Sequence, residues 1–175
     1  AIPRADERLK AFFRRLPFEP TRAQKRVVHE VAGDMARPQP MNRLLQGDVG
    51  AGKTIVALLA ALVAMENGLQ VAFMAPTEIL AEQHFMSITR ALQASRFRVA
   101  LLTGATSSAS RRRQLAEVEG GSLHLVVGTH AVIQDDVVFA RLGLAVVDEQ
   151  HRFGVAQRLA LRHKLNEQQL EPHLL

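Results

Sequence analysis

A chain of 175 residues with 47% hydrophobic and 22% charged residues has the composition of one compact domain, which excludes a disordered chain. The formal net charge of +5, from 22 basic and 17 acidic residues, suits a polyanionic partner without identifying one. Cysteine is absent, which excludes a disulfide framework and a thiolate metal site and agrees with a cytoplasmic protein.

Taken in chain order, residues 1–17 are basic, carry "AFFRR" and a proline, and read as a linker or N-terminal extension. The opening "AIPRADERLK" is charged where a signal peptide would be apolar, and its lack of an initiator Met points to an excised fragment. A helical pattern runs from residue 21 to residue 36, with Val27, Val28 and Val31 on one face, until "RPQP" breaks it. Short apolar runs then alternate with amphipathic stretches. Strands are expected over 43–46, 70–75, 98–102, 123–128 and 144–147, and helices over 53–66, 77–94, 108–118 and 154–165. The longest apolar run, "TIVALLAALVAM", is roughly a dozen residues, short of the ~20 that cross a bilayer, so no membrane partner is expected. Strands alternating with helices of this length predict an α/β fold whose mostly parallel sheet is flanked by helices.

Between the first strand and the first long helix stands "GDVGAGKT": Gly47, Asp48, Val49, Gly50, Ala51, Gly52, Lys53, Thr54. This is the Walker A spacing of a P-loop. Glycines let backbone N–H groups curl around phosphate oxygens, and the new helix adds its positive end. Lys53 would reach the β- and γ-phosphates of ATP, and the Thr54 hydroxyl would ligate Mg²⁺. The bland alternative, a Gly-rich turn before a helix that carries a lysine, does not account for the strand on one side and the long helix on the other. A later apolar strand, "LAVV", ends in Asp148 and Glu149. Alone, such an ending reads equally well as a solvated turn. Downstream of a Walker A, Asp148 is a candidate to hold Mg²⁺ through water, and Glu149 to orient and deprotonate the attacking water.

With "APTEILAEQH", "LLTG", "VVGTHAVIQ" and "VVDEQHRFGVAQR", the P-loop segment occurs in the order of the superfamily-2 helicase motifs. Over roughly residues 16–175 the chain resembles the first motor lobe of the RecG family of branched-DNA helicases. The translocase lobe of the transcription-repair coupling factor is also similar. That family typically reads Asp-Glu-Glu-Gln where this chain has Asp148, Glu149, Gln150 and His151, and carries an aromatic residue at the position of Ala51. Both departures favour RecG.

The resemblance implies a RecA-like P-loop NTPase lobe over residues 18–175, truncated at its C-terminal end, with ATP and Mg²⁺ as cofactors. It implies catalytic roles for Lys53, Asp148, Glu149, Gln150 and His151, and branched DNA (forks and junctions) as partner. It further implies a second motor lobe and a wedge domain in the same parent chain, no obligate oligomer, and a bacterial cytoplasmic location. The second lobe supplies an arginine finger in such motors, so the isolated fragment is expected to be nearly inactive. The role of the segment Arg152, Phe153, Gly154, Val155 is not legible.

"LPFEPTRAQ" resembles the adenine-recognition segment of these motors, with Gln24 on the purine edge and Phe18 or Arg22 near the ring; Thr21 as a helix N-cap followed by a solvated Gln24 is the alternative. Pro76 and Thr77, Thr103 and Gly104, and Thr129 and His130 each follow a strand, and the resemblance makes them a track for one DNA strand. Helix capping explains the same hydroxyls. Arg111, Arg112 and Arg113 sit beside acidic residues on one helical stretch and read as a solvated face. His84 and His124 read as surface or core histidines, and no spacing suggests zinc. Phe is the only aromatic type, so stacking platforms for single strands are not expected. Finally, "HLL" at 173–175 should form a strand between residues 44–46 and 145–147. A nucleotide-binding interaction module without turnover remains the rival class.

Overall fold

The computed structural model describes residues 51–148, together with residues 155–156, 159–160, 163 and 173–174. The expected linker over 1–17, the helix over 21–36 and the strand over 43–46 lie outside these residues. Within them the chain runs α1 (Ala51–Glu66), β1 (Gln70–Met74), α2 (Glu78–Ala91), β2 (Val99–Leu102), α3 (Ser108–Gly120), β3 (Leu125–Gly128), a 3-10 turn (His130–Ile133), β4 (Leu142–Val147) and β5 (His173–Leu174). Residues 155, 156, 159, 160 and 163 are helical, within the span expected for a helix over 154–165.

The strands form one sheet in the order β2-β3-β1-β4-β5, and every pairing among them is parallel. Parallel neighbours need crossovers, and the helices supply them on both faces. Val71 and Phe73 of β1, with Leu144 and Val146 of β4, point to the face covered by α1 and α2. Ala72, Met74 and Ala145 point to the other face, where Val118 of α3 and the 3-10 residues Ala131, Val132 and Ile133 close the core. The period-2 alternation of each strand thus feeds two cores, the layering of a doubly covered sheet.

The helices begin and end where the local chemistry dictates. α1 is apolar on every side, and residues 57–65 are all buried, as an all-round hydrophobic helix must be. Gly68, at φ 77°, takes the left-handed conformation that closes it, and the Leu69 N–H returns to the Ala64 carbonyl at 3.0 Å. α2 starts at the Thr77 cap, whose hydroxyl accepts the Leu80 N–H at 3.2 Å, and buries Ala81 and Ile88. It stops at Ala91 rather than residue 94, and the Ser95 hydroxyl bonds the Leu92 carbonyl in the turn that follows.

The expected strand over 123–128 begins later, at Leu125, and the N–H groups of both His124 and Leu125 reach the Arg98 carbonyl. At the other extreme, β5 pairs with β4 through Leu144 with His173 and Ala145 with Leu174, the β4 side of the position expected for "HLL". Its other expected neighbour, 44–46, lies outside the described residues.

Candidate nucleotide and nucleic-acid site

Because the sheet is parallel, all strand C-termini share one edge, the edge where ligands of open α/β sheets bind. β2 runs into Thr103 and Gly104, β3 into Thr129 and His130, β1 into Pro76 and Thr77, and β4 into Asp148. The candidate DNA positions and the candidate metal carboxylate therefore form a row along adjacent strand ends. Gly128 lets the row close up. A β-carbon there would fall onto the Leu102 carbonyl oxygen and lie 2.6 Å from Val132 Cγ2, so no side chain fits.

Asp148 is held at the end of β4 by its backbone, whose N–H donates to the Met74 carbonyl at 2.8 Å. Strand alternation carries its side chain to the same face as Leu144 and Val146, the face covered by α1 and α2. α1 packs against β1 and β4 and enters β1 through a short turn, so it runs back along the sheet. At about 1.5 Å per residue its 16 residues cover about 24 Å, more than the length of β1. Its first turn, which contains Ala51, Gly52, Lys53 and Thr54, therefore reaches the strand-end edge on Asp148's own face. The positive end of α1 is thus directed toward the edge and face that carry the Asp148 carboxylate.

The carboxylate has a partner that sequence reasoning passed over. His84 Nε2 lies 2.8 Å from Asp148 Oδ2, and the two side chains are only 13% and 15% exposed. The imidazole is seated against Phe73 of β1, with ring centroids 4.8 Å apart at 47°. His84 was read as a generic surface or core histidine. The signal was available: residues 81, 84, 85 and 88 form the inward stripe of α2, and His84 is the polar member of it.

Along the nucleic-acid part of the row, the Thr77 and Thr129 hydroxyls cap helices and the Thr103 hydroxyl holds a turn. Thr77 accepts from Leu80, Thr103 from the Ala105 N–H at 3.2 Å, and Thr129 from the Ala131 N–H at 3.5 Å. Thr103 and Thr129 are buried, whereas Thr77, Gly104 and His130 are exposed at the surface and Pro76 is half-buried. The Glu78 carboxylate lies beside Gly104, 3.4 Å from where a β-carbon would stand. Arg111 is engaged elsewhere, pairing with Asp136 at 2.7 Å and with Gln134 at 2.8 Å, so this part of the face expected to be solvated is tied to the loop after the 3-10 turn. Among the described residues no cluster of three His, Cys, Asp or Glu side chains could hold a metal, and no helix is long and apolar enough to cross a membrane. Phe18, Gln24, Gly47, Asp48, Val49, Gly50, Glu149, Gln150 and His151 lie outside the described residues.

A model of the DEAD/DEAH box helicases matches residues 21–173. The chain belongs to the DEAD/DEAH box helicase family. Its fold is the RecA-like helicase domain that the resemblance implied, built on the parallel sheet expected from the alternating strands and helices. Among curated relatives, the ATP-dependent DNA helicase RecG of Synechocystis is 52% identical over 169 residues, covering 97% of this chain and 20% of the relative. RecG of Haemophilus influenzae is 51% identical over 164 residues, covering 94% of this chain and 24% of the relative. A solved structure of RecG bound to a three-way DNA junction matches with a TM-score of 0.79 and 47% identity, over 88% of this chain and 21% of that one. The family member described here thus spans about a fifth to a quarter of the length of the RecG relatives it matches.

Proposed function

We propose that this chain is the nucleotide-binding lobe of a RecG-type motor. In that reading the complete protein couples ATP hydrolysis to translocation on, and remodelling of, branched DNA such as forks and Holliday junctions, in recombination and repair. What supports the proposal is that α1 runs back toward the strand-end edge on the sheet face that also carries Asp148. The half-identity to RecG relatives supports the choice of RecG over the coupling-factor translocase.

The residues present fit a divalent cation and a triphosphate. Asp148 is part-buried at the strand-end edge, and only its Oδ2 is engaged among the described residues. A carboxylate with one oxygen fixed and the other open is the hard oxygen donor that Mg²⁺ takes. When bound, Mg²⁺ neutralises charge across the β- and γ-phosphates. Thr54 and Asp148 hold it, and Lys53 grips the phosphates beside the backbone N–H groups of Gly47, Asp48, Val49, Gly50, Ala51 and Gly52. Glu149 orients and deprotonates the attacking water, with Gln150 and His151 beside it, while Phe18 and Gln24 receive the adenine. Pro76, Thr77, Thr103, Gly104, Thr129 and His130 line the track for one DNA strand. Since the Thr103 and Thr129 hydroxyls accept the Ala105 and Ala131 N–H groups, their contribution there is backbone N–H and shape, which contact sugar-phosphate without reading bases.

A second motor lobe and a wedge domain belong to the same parent chain in this reading, which sets the protein in the bacterial cytoplasm. The arginine finger comes from the second lobe and is worth on the order of 10³–10⁵ in rate, so the 175-residue chain alone turns over little ATP. The test is steady-state ATP hydrolysis by the complete protein on forked and on linear duplex DNA. Forked DNA should stimulate more strongly, and Lys53→Ala or Asp148→Asn should abolish the stimulated rate. Equal stimulation by both DNAs would remove the branched-DNA reading, and an unimpaired Asp148→Asn rate would remove the site.

A further inference from the structure

We infer that His84 is a positioning residue for the metal carboxylate: its Nε2–H holds Asp148 Oδ2 and so fixes which oxygen faces the cation. The inference rests on the nucleotide-site reading above. Its own observation is the 2.8 Å contact between an α2 histidine and the β4 strand-end aspartate, 64 residues apart in the chain.

Three features make this a built arrangement rather than a chance surface pair. First, the contact is part-buried, with side chains 13% and 15% exposed, so water competes weakly for the carboxylate. Second, the imidazole cannot swing freely, because it lies against the Phe73 ring, and Phe73 is itself buried in the middle of the sheet. Third, α2 is anchored on both sides of His84 by Ala81 and Ile88, which are buried in the core. A donor mounted on such a rigid support leaves an aspartate few rotamers. Since Asp148 Oδ2 accepts from the ring, Nε2 carries a proton in either the neutral Nε2–H tautomer or the protonated ring. The role therefore does not depend on the charge of His84.

The chemical consequence is directional. An aspartate at a strand end is free to rotate about its terminal torsion and presents either oxygen, or neither, to a cation. With Oδ2 tied to His84, Oδ1 is the oxygen left for the metal or its bound water. Residues that orient metal ligands in this way typically contribute ~10–100-fold to metal affinity. Removing the donor should therefore weaken Mg²⁺ rather than the nucleotide itself.

The experiment is a Mg²⁺ titration of the complete protein binding a fluorescent non-hydrolysable ATP analogue, beside the same binding in EDTA. His84→Phe keeps a ring against Phe73 and removes the donor, whereas His84→Gln restores an N–H at a similar reach. His84→Phe should raise the Mg²⁺ midpoint by about tenfold or more. Its affinity in EDTA should equal that of wild type, and His84→Gln should return most of the loss. A His84→Phe midpoint equal to wild type overturns the inference. So does a His84→Gln midpoint as weak as that of His84→Phe, since shape alone would then matter. Thermal melting checks the fold. If His84→Phe does not fold, His84→Asn, whose amide is too short to reach Asp148, replaces it with the same expected loss and the same overturning result. A wild-type protein whose nucleotide binding ignores Mg²⁺ brings down the nucleotide-site reading, and this inference with it. A Mg²⁺-responsive wild type with an indifferent His84→Phe brings down the inference alone.

Discussion

Two histidines that look alike in the sequence sit in opposite surroundings. His124 lies just before β3, where its Nδ1 accepts the Arg98 N–H at 2.9 Å and its ring stands edge-on to Phe97. Burial, followed by the nearby Arg96 and Arg98 charges, lowers its pKa from the ordinary 6.5. The unfolded chain therefore binds this proton more readily than the folded one, so stability is full above about pH 6.5 and declines as pH falls through that value. In urea unfolding, the loss of midpoint between about pH 7.5 and about pH 5.5 should be larger for wild type than for His124→Asn, whose amide oxygen still accepts the Arg98 N–H. Equal losses would show that His124 is not responsible. Neither histidine's partner was legible beforehand, because each contact is tertiary. Arg98 is 26 residues away from His124, and Asp148 is 64 from His84.

At the scale of elements, Gln70 joins three of them at the edge opposite the strand-end site. Its Nε2 donates to the Val118 carbonyl at 2.9 Å and the Leu123 carbonyl at 2.8 Å, and its Oε1 accepts the Arg141 N–H at 2.9 Å. The end of α3 and the starts of β3 and β4 are thereby tied to the start of β1. A buried amide with all these bonds made is worth more in place than any apolar replacement: the Val118 carbonyl would keep the Gly121 N–H, but Gln70→Leu would leave the Leu123 carbonyl and the Arg141 N–H unpaired. Each such group costs about 1–3 kcal/mol, so the unfolding free energy in urea should fall by at least about 2 kcal/mol. Nucleotide affinity below the melting transition should be unchanged, since the change is on the far edge. A stability loss under about 0.5 kcal/mol would show that water replaces the amide.

Strand and helix positions within the described residues were legible because apolar runs and amphipathic stretches carry their own period. The 3-10 turn was not, since "HAVI" is too short to show one. The start of β4 at Leu142 was missed for a related reason. Gly143 sits at a register shift, with Gln70 opposite Leu142 but Val71 opposite Leu144, and that irregularity breaks the alternation.

At the scale of the whole molecule, the site is an assembly of strand ends that only the parallel topology brings together. Walker A spacing and an acidic strand end are readable separately, and a parallel sheet directs the helix that follows the one toward the edge where the other stands. What the sequence could not distinguish was whether threonines after strands cap helices or touch a ligand. Thr77 and Thr129 cap helices and Thr103 holds a turn, and none of this prevents their neighbours Gly104 and His130 from facing outward.

The central claim is that Thr54 and Asp148 share one cation at this corner of the sheet. The measurement that addresses it most directly is the anomalous scattering of Mn²⁺, substituted for Mg²⁺, in crystals of the complete protein with a non-hydrolysable ATP analogue. The account predicts a peak at the C-terminal edge of β4, bound by the Thr54 hydroxyl and by Asp148 directly or through one water, with His84 still on Oδ2. A peak at the opposite edge of the sheet, or a nucleotide bound with Asp148 facing away from its metal, would contradict it.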